Sequence, residues 1–387
     1  MAYAQPVPVS DFAGYKLLAE MLLDQRQFGY PEPSAYRLPG YPFFLAVMML
    51  VSRSLAWLEL VNVLLSTALV VLVYFLAKNV TANKAVALIS ALLVALNPTF
   101  VFFAPILASE HLFGILFYSG CLILLTRQFQ APWREILAGF LFGLSVLTRG
   151  EGWFYLPVMF IILVAYAPGK RFPIRRFLVF GAASLSVVFP WFLRNYWVIG
   201  PGAGLSTSGG VMFYYAHHDR QQEWESLQSQ VFEGLDAIER SRRGYQLGFE
   251  YIRQAGLKEN AVGVAISTAK LYAPHGYPVL WSVYLPRQTP AAPFPEKPLA
   301  GKDVFIFLTQ FGFGFIAFNA LLALAWLGSY PWKMWSILLG FIGMNWLGYG
   351  VLFAGTSRYR FGVEPVMCVM AGIGLWELRQ WTRRNTS

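Results

Sequence analysis

The chain alternates long apolar runs with short polar breaks. Runs at about 57–77, 84–104, 108–126, 133–149, 152–167, 176–195, 303–327, 332–353 and 357–378 approach or reach the roughly 20 residues that cross a bilayer core as a helix. The short runs 133–149 and 152–167 are parted only by Arg149-Gly150-Glu151, which reads as a tight hairpin turn. Segment 41–52 is apolar but too short to span comfortably, a length that suits an interfacial or re-entrant helix. One sizeable polar stretch remains, 196–302. In it, Asp219 to Gln254 reads as a charged amphipathic helix, Ala261 to Tyr272 as a second helix, and Pro286 to Pro298 as irregular connector.

The pattern predicts an all-α, polytopic integral membrane protein of about nine spanning helices. Residues 1–56 form an external loop with interfacial helices, and 57–195 an N-terminal transmembrane bundle. Residues 196–302 form a large external loop, and 303–387 the last spanning helices and a cytoplasmic tail. No sequence repeat is visible between the halves, which disfavours a transporter built from inverted repeats.

Composition agrees. Apolar residues are 57% and charged residues only 13% of the chain, against about 25% charged in a soluble domain. The formal charge of +10 is spread over short loops rather than gathered in a nucleic-acid-type run. Lys78 and Lys84, Arg127 and Arg134, Lys170, Arg171, Arg175 and Arg176, Lys333, and the tail arginines 379, 383 and 384 all fall on one side of the predicted topology. The positive-inside bias makes that side cytoplasmic. Cys121 and Cys368 lie in separate apolar runs and suggest neither a disulfide nor a metal site.

Charges that break this pattern are candidates for chemistry. Arg37, Arg149, Arg194, Arg358 and Arg360 lie near helix ends on the opposite, external face. Guanidinium forks suit phosphate, so together they resemble a site for an anionic lipid head group. Snorkelling to lipid phosphates is the alternative for any one of them. Asp11 and Glu110 stand at helix starts on the same face, where a carboxylate also serves the helix dipole. Glu151 reads as a turn residue. His217 and His218 follow Phe213-Tyr214-Tyr215-Ala216 without metal-ligand spacing, as expected of a solvated loop. Ser206-Thr207-Ser208-Gly209-Gly210 reads as an anion nest or a flexible turn.

Several motifs, in order, resemble one family. Asp11-x3-Tyr15 is followed by Tyr36-Arg37-Leu38-Pro39-Gly40-Tyr41-Pro42-Phe43-Phe44-Leu45-Ala46. Then come Asn97-Pro98 with Ser109-Glu110-x-Leu112-Phe113, and Gly139-x3-Gly143-Leu144-x2-Leu147-x-Arg149. Pro190-Trp191-x2-Arg194-Asn195-Tyr196 with Gly200 leads to Ser206-Thr207-x-Gly209-Gly210-x2-Phe213-Tyr214, and Arg358-Tyr359-Arg360-Phe361 precedes Pro365. The series resembles the polyprenyl-phosphate-dependent GT-C-type membrane glycosyltransferases, which include protein O-mannosyltransferases and the aminoarabinose transferase of lipid A. It runs from Asp11 to about Gly374.

The resemblance implies inverting transfer of a sugar from a polyprenyl-phosphate donor to a lipid, glycan or protein acceptor at the external face of a membrane, prokaryotic in the simplest reading. It implies Asp11 as general base, with Glu110 positioning a hydroxyl or sharing a divalent metal. Tyr15, Arg37, Arg149, Arg194, Asn195, His217, His218, Arg358, Tyr359 and Arg360 would bind substrate. Relatives carry a first spanning helix before the loop that bears the aspartate, whereas this chain starts inside that loop. Ala216-His217-His218 stands where relatives often have Gly-Asn-Asn, and Tyr36 where some have an acid. A flippase of lipid-linked sugars and a non-catalytic relative are the alternative readings.

Overall fold

The computed structural model describes residues 11–126, 129–166, 174–217, 231–274 and 302–386. Every regular element among them is helical. In chain order these are α1 (Asp11–Gln25), α2 (Gly40–Met49), α3 (Leu55–Thr81), α4 (Lys84–Leu96), α5 (Pro98–Phe103), α6 (Ser109–Leu125) and α7 (Trp133–Thr148). A 3-10 turn (Gly150–Tyr155) leads to α8 (Leu156–Ala165), α9 (Ile174–Val198), α10 (Gly209–His217) and α11 (Ala237–Leu271). After α12 (Lys302–Leu322) and α13 (Trp332–Asn345), a π segment (Trp346–Leu352) and a 3-10 turn (Ser357–Arg360) precede α14 (Glu364–Thr386).

Among the described residues, four helical stretches are long and apolar enough to cross a membrane: Leu55–Thr81, Ile174–Val198, Ile306–Ser329 and Trp332–Leu352. Gly40–Met49, Lys84–Leu96, Ser109–Leu125 and Gly150–Ala165 are apolar but shorter. The structure therefore divides several of the nine expected spans. The run 84–104 breaks at Asn97, whose side chain caps α5 through the Thr99 amide at 3.0 Å, with Pro98 at the first helical position. There the freed backbone is already satisfied, so an apolar run continues while its helix does not. The run 357–378 breaks likewise, into the 3-10 turn and α14.

The core lies where α3, α4, α6 to α9 and α12 to α14 pack together. α3 turns Leu60, Leu64, Val71 and Phe75 outward, about one or two turns apart. In water such a stripe is costly, and in a bilayer it is the lipid-facing side. Burial runs the other way on α14, where every residue from Glu364 to Gly374 is inside.

Two close approaches fix the parts around the charged end of the bundle. A Cβ on Gly40 would come within 2.5 Å of Thr148 Oγ1 and 2.8 Å of its backbone, so α2 lies directly against the end of α7. In the large loop, a Cβ on Gly210 would meet the Ser241 carbonyl at 1.8 Å, and one on Gly244 the Gly210 carbonyl at 2.3 Å. The Gly209-Gly210 pair thus opens α10 and lets it cross α11, in place of the expected nest or flexible turn.

Candidate functional site

Four breaks in the helices bring charge to one place. α1 starts at Asp11, α6 starts at Ser109-Glu110, α7 ends at Arg149, and the 3-10 turn before α14 carries Arg358. The loop between α1 and α2 adds Arg37. Helix starts favour carboxylates, because their free amide groups present positive charge.

The side chains form one alternating chain. Asp11 Oδ1 accepts from Arg37 Nη1 at 2.6 Å, and Oδ2 from Arg358 Nη1 at 3.2 Å. Arg358 Nε donates to Glu110 Oε1 at 2.6 Å, and Arg149 Nη1 reaches the same oxygen at 2.8 Å. Arg149 Nε and Nη2 then donate to the two oxygens of Glu151 at 2.9 and 3.2 Å. The Tyr349 hydroxyl also donates to Glu151. Tyr15 lies 3.4 Å from Ser109 Oγ, and its ring lies 5.1 Å from the Arg37 guanidinium carbon. Tyr359 stacks on Tyr349 with ring centres 4.4 Å apart.

The two helix-start acids differ in access. The Asp11 side chain keeps 40% of its exposure, whereas Glu110 keeps none. Burial pushes the Asp11 carboxyl upward, but the Arg358 and Arg37 charges outweigh it and hold the group below the ordinary aspartate value. Burial works against the charge on Arg37 too, and Asp11 again reverses it. Three arginines face three carboxylates, so the cluster is neutral overall. Glu110 is held in place by two guanidiniums, and its Oε2 has no partner.

Not every candidate reaches this cluster. Asp11, Tyr15, Arg37, Glu110, Arg149, Arg358 and Tyr359 meet there. Arg194 is elsewhere: it donates to the carbonyls of Ser34 and Phe28 at 2.8 and 3.1 Å and to Asn195 Oδ1 at 2.9 Å. It clasps the first loop onto α9 and covers the Trp191 ring. Asn195, fully buried, donates to the Gly204 and Leu205 carbonyls and shapes the approach to α10. Arg360 is fully buried; it reaches the Ala273 carbonyl at 2.6 Å, Glu364 at 3.1 Å and the face of Phe313 at 3.4 Å. None of these three faces the acids of the cluster: Arg194 and Asn195 donate mainly to carbonyls, and Arg360 to carbonyls and to Glu364. His217 ends α10 with Nε2 3.1 Å from the Leu352 carbonyl and its ring against Phe213. His218 lies outside the described residues.

In the sequence Glu151 reads as a turn residue, yet its side chain is 2% exposed and closes the chain of charges. The available signal was an acid two residues from Arg149 between two apolar runs, where an unpaired charge is costly. The donor set does not fit a divalent cation. Asp11, Glu110 and Glu151 are each spent on arginines, and among the described residues no three potential ligands converge. A cavity of about 390 Å³ opens elsewhere, between α3 and α6, lined by Phe75, Lys78, Asn79, Leu122 and Thr126.

Residues 33–194 match the family model described as dolichyl-phosphate-mannose-protein mannosyltransferase. No curated protein sequence matches the chain. Among solved structures, the archaeal oligosaccharyltransferase AglB from Archaeoglobus fulgidus, in complex with an inhibitory peptide and a dolichol-phosphate, overlaps with a TM-score of 0.52 at 15% identity. That overlap covers 99% of this chain and 48% of AglB, so the chain spans about half the length of that relative. ArnT from Cupriavidus metallidurans bound to undecaprenyl phosphate overlaps with a TM-score of 0.42 at 12% identity, over 96% of this chain and 74% of that one. The matched segment runs from the first loop to α9, and the chain shares the fold of AglB along its length.

Proposed function

We propose that the protein transfers a sugar from a polyprenyl-phosphate donor to a hydroxyl acceptor, with inversion, at the external face of the membrane. The observation that carries this reading is the placement of Asp11. It is the accessible acid of the cluster and sits between two guanidiniums, Arg37 and Arg358.

The chemistry needs a base and fixed positive charge. The acceptor hydroxyl loses a proton as it attacks, and Asp11 takes that proton. The lipid phosphate leaves as an anion, and guanidinium donors stabilise the charge that develops on it. Arg37 and Arg358 serve both partners in turn. While they hold Asp11, its carboxylate is a weak base. As a phosphate draws them away, the carboxylate regains proton affinity where the proton is to be removed. Tyr15 orients Arg37, and Tyr359 lines the approach beside Arg358. Glu110, enclosed, positions Arg358 and Arg149 rather than meeting the acceptor. Asp11 and Arg358 stand at helix ends, which suits a donor whose tail stays in the bilayer while its head group meets the membrane edge.

The reading is tested by incubating the purified protein in lipid nanodiscs with undecaprenyl-phosphate monosaccharides and a mixture of lipid, glycan and peptide acceptors. The expected result is sugar lost from the carrier and found on an acceptor, with the anomeric configuration inverted by NMR. Intact carriers throughout, from a folded protein, would overturn it.

A further inference from the structure

Arg149 is contested between two acids. Two of its nitrogens grip Glu151 at 2.9 and 3.2 Å, and only Nη1 is left for Glu110, at 2.8 Å, and for Ser109 Oγ, at 3.2 Å. Glu110 Oε1 therefore receives both Arg149 and Arg358, while Oε2, fully enclosed, receives nothing. A guanidinium and a carboxylate favour a fork with two parallel bonds. If Arg149 were released from Glu151, it would form that fork with Glu110, satisfy Oε2 and displace Arg358. Arg358 would then belong to Asp11 and to any anion beside it.

Glu151 prevents this, and it is itself fixed. It is almost fully buried, and the Tyr349 hydroxyl donates to it. Tyr349 in turn stacks against Tyr359, the neighbour of Arg358 in the chain. The grip on Arg149 and the seat of Arg358 are thus parts of one assembly.

We propose that Glu151, fixed by Tyr349, is a positioning residue that limits Arg149 to one contact with Glu110 and so keeps Arg358 divided between Glu110 and Asp11. The proposal rests on the reading of Asp11 and Arg358 given above. In that division Arg358 restrains Asp11 only partly, and the acid stays able to accept a proton.

The test uses the full chain in lipid nanodiscs, as wild type, Glu151→Gln, Glu151→Asp and Tyr349→Phe. Two quantities are read: the affinity for undecaprenyl phosphate, and kcat with an undecaprenyl-phosphate sugar that the wild type uses. Glu151→Gln keeps shape and removes the grip. It is expected to lower kcat roughly tenfold while tightening undecaprenyl phosphate binding at least about threefold, because Arg358 is freed from Glu110. A merely structural loss would weaken both. Glu151→Asp restores part of kcat. Tyr349→Phe, which leaves the charge count unchanged, shifts both quantities in the same directions by a smaller factor.

Unchanged constants in folded Glu151→Gln, or weaker lipid binding, would overturn the proposal. An effect in Glu151→Gln with none in Tyr349→Phe would assign the result to charge alone and overturn it too. If the wild type transfers no sugar, the functional reading fails, and the affinity shift still decides the positioning role.

Discussion

Arg358 and Arg360 stand two residues apart in one turn and do opposite things. Arg358 faces the cluster, donating to Glu110 and Asp11, and keeps 13% of its side-chain exposure. Arg360 points the other way and keeps none. It gathers the Ala273 carbonyl beyond α11, Glu364 at the start of α14 and the Phe313 ring of α12, and Asn97 completes the set by donating to Glu364 at 2.6 Å. One region leaves charge near open space, where it can be exchanged for a ligand. The other locks charge into backbone, where exchange would unfold something. An arginine at the membrane edge is read by what its donors already hold.

Arg360→Met gives the largest loss. It removes the guanidinium that pairs with the buried Glu364, and removing one partner of a buried pair costs roughly 3–5 kcal/mol. Thermal unfolding in detergent should show a sharply lowered midpoint; an unchanged midpoint would remove the distinction between the two arginines. Arg358→Lys gives the next effect and of another kind. It keeps the charge but loses the fork, and turnover should fall roughly 100- to 1000-fold, as when one charge-stabilising donor is removed. Its midpoint should move little, and equal losses of stability and turnover would place Arg358 with Arg360.

Arg194→Met is intermediate in stability. It loses three charged hydrogen bonds onto the first loop and α9, with a cost of about 2 kcal/mol. Limited proteolysis should open the stretch between Arg26 and Tyr36, which Arg194 holds through Phe28 and Ser34. Protection equal to wild type would show that the clasp is redundant.

The pH dependence is subtler. The Asp11 carboxyl lies below its ordinary value of 3.8, because Arg358 and Arg37 outweigh burial. A depressed acid contributes stability that is present above the unfolded value and is lost as pH falls through the folded one. The acid limb of kcat/KM that Asp11 produces should therefore lie below 3.8. Arg37→Met removes one of the opposing charges, leaves burial in place and should move that limb upward. A limb that ignores this variant is not set by Asp11. The smallest effect belongs to Asp24, whose pair with Arg53 is solvent-exposed. Asp24→Asn should leave turnover unchanged.

Much of this was legible in the sequence, for identifiable reasons. Apolar runs set the helices, and charges at their ends gave Asp11, Glu110, Arg37, Arg149 and Arg358, because helix ends and charges must meet where a membrane edge allows both. The helix breaks were less visible. Asn97-Pro98 is a cap within a run whose hydrophobicity does not change, so a window of composition passes over it. Arg360 was indistinguishable from Arg358, since which way each points depends on the 3-10 turn that carries them. Glu151 is not legible because a turn residue is ordinarily solvated, whereas this turn is folded inward against Tyr349.

The central claim is that Asp11 is the base and Arg358 the phosphate partner. Its most direct test compares wild type, Asp11→Asn and Asp11→Glu in one preparation, measuring sugar transfer from an undecaprenyl-phosphate donor together with binding of undecaprenyl phosphate. Transfer should fall roughly 100- to 10,000-fold in Asp11→Asn and recover in part in Asp11→Glu, with phosphate binding kept or tightened in Asp11→Asn as Arg37 and Arg358 lose a competitor. Transfer near the wild-type rate in folded Asp11→Asn would contradict the account.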